Sequence, residues 1–173
     1  MNLSIASTTE KSEVFSQIAS ELSTLGFKVE TQDQTRPWGG FFVLDESQAQ
    51  AFAALYFSHL KMSEIQITNK LSPKILVVAP HKRLSWQYHF RRAEIWKVIA
   101  ETTVGVKISN TDEQSEEVIP LKSGSFIQMD KGERHRLIGL EGWGVVAEIW
   151  QHTDPENPSD EGDIVRLQDD FGR

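Results

Sequence analysis

The stretch Leu84-Ser85-Trp86-Gln87-Tyr88-His89-Phe90-Arg91-Arg92-Ala93-Glu94-Ile95-Trp96 decides the fold. On a β-strand, residues two apart face the same way, so Gln87 and His89 point to one side. Glu94 falls on the next strand if the chain turns near Arg91-Arg92. Further along, Gly132-Glu133-Arg134-His135-Arg136-Leu137 brings a second imidazole on another short segment. Gln87, His89, Glu94 and His135 together offer two nitrogens and two oxygens, a donor set that suits Zn²⁺, Mn²⁺, Fe²⁺ or Co²⁺. Taken alone, Gln87 and His89 read better as a hydrogen-bonded pair in a polar interior. Glu94 and His135 in register with them favour the metal.

Working outward, the chain after Lys61 is a series of short segments rich in Val, Ile, Phe and Trp, separated by Pro, Gly, Asp, Asn and Ser. Strands are expected at 64–68, 74–79, 84–90, 93–100, 103–108, 117–120, 125–129, 134–138 and 144–151. Such spacing predicts a β-sandwich or closed barrel, and the lack of alternating helices argues against a parallel α/β sheet. Before it, Val14, Phe15, Ile18, Leu22 and Leu25 recur at helical spacing, with a capping box from Ser7 and Glu10 and a stop at Gly26. A second helix is expected over 46–60, capped by Asp45 and buried through Phe52, Leu55, Tyr56 and Leu60. These segments divide the chain into a helical extension over 1–62 and a barrel over 63–173, packed as one unit.

Composition narrows the chemistry. The 173 residues carry 18 Lys and Arg against 25 Asp and Glu, a net charge of −7. An acidic surface is a poor partner for nucleic acid or anionic membrane, and neither is expected. There is no cysteine, which excludes disulfides, thiolate metal sites and a cysteine nucleophile. No targeting or membrane segment is visible, so a cytoplasmic protein is expected. Of the five histidines, His59 and His152 are expected at the surface, and Arg36 is expected to pack across Trp38.

The spacing resembles the two signature motifs of the cupins. Gln87-x-His89-x4-Glu94 reproduces the ligand spacing of G-x5-H-x-H-x4-E, with Gln for the first His and His81 for the Gly. Gly124, Gly132 and His135 fall in register with G-x5-P-x-G-x2-H-x3-N, with Asp130 for Pro and Gly139 for Asn. Two motifs in order are far more specific than one. Within the cupins the sequence resembles the type II phosphomannose isomerases. Arg36-Pro37-Trp38-Gly39 looks like their RPWG, residues 84–96 like their LSLQxHxHRAEHW, and Asp163-Ile164-Val165-Arg166 with Phe171-Gly172-Arg173 like their DIVRxxDxYGR. Arg91, Ile95 and Gln168 depart from that pattern. No Gly-rich nucleotidyltransferase motif is seen, so the guanylyltransferase activity often fused to such domains is not expected.

The resemblance implies a mainly β protein, a cupin jelly-roll barrel with added N-terminal helices. It implies an aldose–ketose isomerase acting on a phosphosugar, with mannose 6-phosphate the leading substrate and a homodimer as the assembly. The metal would be Zn²⁺ first, then Mn²⁺, Co²⁺ or Fe²⁺, held by Gln87, His89, Glu94 and His135. Glu148 and Arg166 become the catalytic residues, and Lys74, Arg92 and Arg173 the substrate-binding ones. A carboxylate inside an apolar strand, as Glu148 is, costs energy to bury unless paired or functional; a salt bridge to a structural arginine would also account for it. The rival expectations are a non-catalytic phosphosugar-binding module and another cupin enzyme, such as an epimerase.

Overall fold

The structure, a computed structural model, describes residues 3–172. Among these, one helix, α1 (Lys11–Thr24), precedes two strands, β1 (Val29–Asp33) and β2 (Gly39–Leu44). A 3₁₀ turn (Glu46–Gln48), α2 (Ala49–Tyr56) and the short α3 (Met62–Ile65) follow. Then come β3 (Lys74–Val78), β4 (Trp86–Tyr88), β5 (Arg92–Val98), β6 (Thr103–Ser109), β7 (Ile119–Lys122), β8 (Phe126–Met129), β9 (Arg134–Gly139), β10 (Gly144–His152) and β11 (Val165–Gln168). A six-stranded sheet in the order β1-β2-β3-β10-β5-β8 faces a five-stranded sheet in the order β11-β4-β9-β6-β7. All strand pairs are antiparallel, the jelly-roll architecture expected. No helix of the described residues is long and apolar enough to cross a membrane.

Two cores share the larger sheet. On its outer face, Ile75, Val77, Ile95, Val145, Ala147 and Ile149 meet Val14, Phe15, Ile18 and Leu22 of α1 and Phe52 and Tyr56 of α2. On its inner face, Leu76, Val78, Trp96, Val98 and Val146 meet Leu84, just before β4, and Val104, Val106 and Leu137 of the second sheet. The helices therefore cover a barrel face. With both faces covered, β3 and β10 are buried at every position rather than alternately, which is why they read as continuous apolar runs. Period two then puts Lys74, Glu94, Trp96, Glu148 and Trp150 on the inner face, interrupting an otherwise apolar lining.

Several expectations need correction. Glu10 flanks α1 but makes no capping bond with its side chain, because the helix starts at Lys11 and leaves Ser7 in the preceding turn. Leu25 and Leu55 are exposed rather than part of the buried stripes. The second helix is split. Asp45 does cap its start by accepting from the Ser47 N–H, but the first turn is 3₁₀. There Glu46 is drawn off to the Leu71 and Ser72 N–H groups, and Gln48 to Lys28 and Gly26. The strand expected at 64–68 is the helical turn α3, since Ile65 alone reaches the core and Ile67 is exposed. β1, β2 and β11 were not expected as strands. β1 and β11 lie at sheet edges with mostly solvated side chains, which leaves no apolar alternation to read. β2 pairs with β3, so residues 39–44 belong to the same sheet as the segments that follow Lys61.

Candidate functional site

β4 and β9 pair at Gln87 and His135, so both side chains rise from neighbouring strands on the barrel's inner face. β5 brings Glu94 from the opposite sheet, and His89 lies just beyond the end of β4. All four are buried. His89 Nε2 is 3.1 Å from Glu94 Oε1, and His135 Nε2 is 3.3 Å from Glu94 Oε2. Donor atoms from His89, Glu94 and His135 all lie within 4.8 Å of one another. Gln87 stands in the same cavity, its Oε1 accepting from Ser85 Oγ at 2.6 Å.

The outer hydrogen bonds fix the ring orientations. His89 Nδ1 is 2.6 Å from the Asp163 carbonyl, and His135 Nδ1 is 2.9 Å from the Glu133 carbonyl. A carbonyl only accepts, so each Nδ1 carries the hydrogen and each Nε2 faces inward, where the neutral form of the ring would present a lone pair. Metal-bound histidines show the same arrangement, the outer ring nitrogen donating to a carbonyl and fixing the ring. Burial lowers the His89 pKa, against the pull of Glu94, and so keeps this ring neutral. Burial alone would raise the Glu94 pKa, but the adjoining His89 ring, the Arg92 guanidinium and the contact with His135 outweigh it and hold the carboxyl well below its ordinary range. His135 Nε2 and Glu94 Oε2 have no hydrogen-bond partner. Two lone-pair donors face each other in a dry site, which a divalent cation would satisfy. The residues present therefore fit the metal.

Beside this cluster lies Glu148 on β10. Its Oε1 accepts the Trp96 indole N–H at 2.8 Å and its Oε2 the Trp150 indole N–H at 3.0 Å. Burial, then the charge of Glu94, pushes its pKa up to about 8. Two cations flank the Trp150 side of the cavity. Lys74 Nζ lies 3.8 Å and Arg92 Cζ 3.6 Å from the Trp150 ring centroid. Lys74 is also paired with Glu161. Arg166 on β11 pairs in register with Gln87 and lines the same cavity.

The structure thus gathers Lys74, Gln87, Arg92, Glu94, Glu148 and Arg166 around one cavity, with His89 and His135 behind it. Arg92 donates to Glu94 Oε1 at 2.8 Å, to Ser159 Oγ and to the Asp160 carbonyl. Those bonds commit most of its guanidinium to protein groups. Arg173 lies outside the described residues. Arg36 lies over Phe41 and pairs with Asp33, rather than packing across Trp38 as expected. His152, expected at the surface, is fully buried against Ser72, with Nε2 3.0 Å from the hydroxyl. Trp150 and Glu161 were missed by sequence reasoning. Trp150 could have been found, since it stands two residues after Glu148 and must share its face. Asp163 was noted only as part of a motif, yet its carboxylate accepts the Phe90 and Arg91 N–H groups while its carbonyl orients His89.

The model of the family described as mannose-6-phosphate isomerase C-terminal matches residues 48–169. No curated protein matches the sequence. Among solved structures, the capsular polysaccharide assembling protein CapF from Staphylococcus aureus is similar at 14% identity and a TM-score of 0.50, over 82% of this chain and 34% of that one. Hazelnut (Corylus avellana) vicilin is similar at 14% identity and a TM-score of 0.52, over 80% and 35%. Procruciferin, an 11S globulin from Brassica napus, is similar at 12% identity and a TM-score of 0.53, over 81% and 31%. At these identities the likeness establishes the shared cupin-type fold alone, and this chain spans about a third of the length of each.

Proposed function

The chain belongs to the mannose-6-phosphate isomerase C-terminal family, and from that premise we propose that it is a metal-dependent sugar-phosphate isomerase of the mannose 6-phosphate to fructose 6-phosphate type. The observation that carries the reading is the pairing, in one cavity, of the His89–Glu94–His135 cluster with the indole-held Glu148. Aldose–ketose interconversion moves a proton between adjacent carbons through an enediol. It needs an electrophile at the oxygens, a base at the carbons and a cation for the phosphate.

Each part has a candidate residue. A bound divalent metal, held by His89, Glu94, His135 and Gln87, supplies Lewis-acid polarisation of the sugar's oxygens. Glu148, with a pKa near neutrality, takes the proton from the carbon next to the carbonyl and returns it to the neighbouring carbon. Trp96 and Trp150 hold its two oxygens so that the carboxylate keeps one orientation. Lys74 and Arg166 take the phosphate, and Arg92 positions Glu94. Trp38 and Phe41 wall the cavity and keep water from the enediol.

A coupled assay on protein loaded with Zn²⁺, Mn²⁺ or Co²⁺, run across mannose, glucose and heptose phosphates, tests this. Turnover of mannose 6-phosphate is expected, and no turnover with any sugar phosphate overturns it. One observation favours a second reading, a phosphosugar-binding cupin without catalysis. Arg91, standing where the resemblance implies a second histidine, is turned toward Asn157 and Asp160 instead of the cavity. Saturable binding without turnover would support that alternative.

A further inference from the structure

The buried ammonium of Lys74 is not open to an incoming anion, because the Glu161 carboxylate already sits on it. The two partners differ sharply in their surroundings. The Lys74 side chain is 6% exposed, against the aromatic faces of Trp150 and Phe41, whereas the Glu161 side chain is 70% exposed. Resting on the phosphosugar reading above, we infer that Glu161 is an internal stand-in for the substrate's phosphate. It occupies the Lys74 subsite until an anionic ligand displaces it.

The neighbouring backbone shows that the side chain alone has to move. Asp160 is tied to Arg91 and accepts the Gly162 N–H; Asp163 accepts from Ser159 Oγ and from the Phe90 and Arg91 N–H groups. Ser159 also receives Arg92. Residues on both sides of Glu161 are clamped, and Glu161 itself reaches over from the rim.

The cavities give the same answer independently. The cavity over the cluster has a volume of about 100 Å³, and a second cavity of about 430 Å³ lies alongside it. Lys74, Trp150 and Glu161 line both. Small-molecule sites usually span roughly 300–1,000 Å³, so the first is too small by itself and the two joined are not. Swinging Glu161 out joins them. The exchange also selects the substrate. A phosphorylated sugar replaces one ion pair on Lys74 with another, whereas a neutral sugar would leave a buried ammonium without an anion. Glu161 thus acts as a specificity-determining residue that excludes unphosphorylated sugars.

Calorimetric titration of the full chain with inorganic phosphate and with mannose 6-phosphate tests this, using wild type, Glu161→Gln and the control Glu156→Gln. Glu156 is an exposed acid on the same segment. Removing the competing carboxylate should tighten both ligands roughly three- to tenfold, the scale of a partly exposed ion pair, while Glu156→Gln leaves them unchanged. Equal or weaker affinity in Glu161→Gln overturns the inference, as does equal tightening in both variants or no phosphate binding by any of the three. Because no turnover is needed, the isomerase reading can fail while the tightening is still seen, and the two failures are distinguishable.

Discussion

His135 Nε2 lies 3.3 Å from Glu94 Oε2, and no hydrogen bond joins them. Two unsatisfied acceptors at that separation oppose folding unless a cation lies between them. Metal should therefore stabilise the protein. Zn²⁺ at a hundredfold excess over its Kd should add about 2.7 kcal/mol, seen as a rise in Tm that a chelator reverses. His135→Ala should lose both that rise and the bound metal measured by elemental analysis.

Glu148 predicts a loss of turnover and a pH signature. Glu148→Gln should lower kcat by roughly 10²–10⁴-fold, the usual contribution of a general acid–base group. Its carboxyl is raised from the ordinary value of 4.5 to about 8 in the folded protein. Between those values the folded state keeps a proton that the unfolded chain releases, so this group's stabilisation is complete below pH 4.5 and is lost as pH rises through 8. Urea unfolding of chelated protein across that window should fall with pH in wild type and less so in Glu148→Gln.

His152 predicts the opposite slope in acid. Burial, followed by the charges of Lys70 and Arg92, lowers its pKa from 6.5 to about 4. Its Nδ1 has no hydrogen-bond partner. As pH drops from 6.5 toward 4, the unfolded chain takes up a proton that the folded one refuses, so stability present above 6.5 declines. His152→Gln, which keeps a polar group for Ser72, should show a shallower decline in the unfolding midpoint over that range.

Gly139 stands where the cupin pattern has Asn, yet restoring Asn should harm the protein. A Cβ there would lie 2.0 Å from the Ala79 carbonyl oxygen, and β9 cannot withdraw because Gly139 donates to the Lys82 carbonyl and pairs with Val104. Gly139→Asn should cost about 3 kcal/mol, the upper range of overpacking, read as a lower urea midpoint.

A sandwich or barrel of short strands was legible in the spacing of apolar segments, and the family resemblance narrowed it to a jelly roll; the i, i+2 rule placed Gln87 and His89 on one side. Gln87, Glu94 and Glu148 stand among apolar neighbours, and burying such groups is costly enough to mark them; His135, set between Arg134 and Arg136, was marked by its spacing instead. Trp150 was legible in principle from the same i, i+2 rule. Glu161 was not. It lies in an exposed loop with no period, and its meaning comes from a contact with Lys74, 87 residues away in sequence. β1 and β11 escaped for a related reason, since an edge strand with solvated side chains leaves no trace in hydropathy. The split of the second helix was set by tertiary bonds, Glu46 to residues 71 and 72 above all, which local propensity cannot foresee.

The bond from His89 to the Asp163 carbonyl spans 74 residues. While the chain is being made, His89 emerges long before the acceptor that chooses its tautomer. A nascent chain that has not reached residue 163 carries an imidazole free to present either nitrogen. The inward-facing nitrogen of His89 is therefore fixed only after synthesis has passed Asp163, and the donor cluster is completed late, timed by the order of translation.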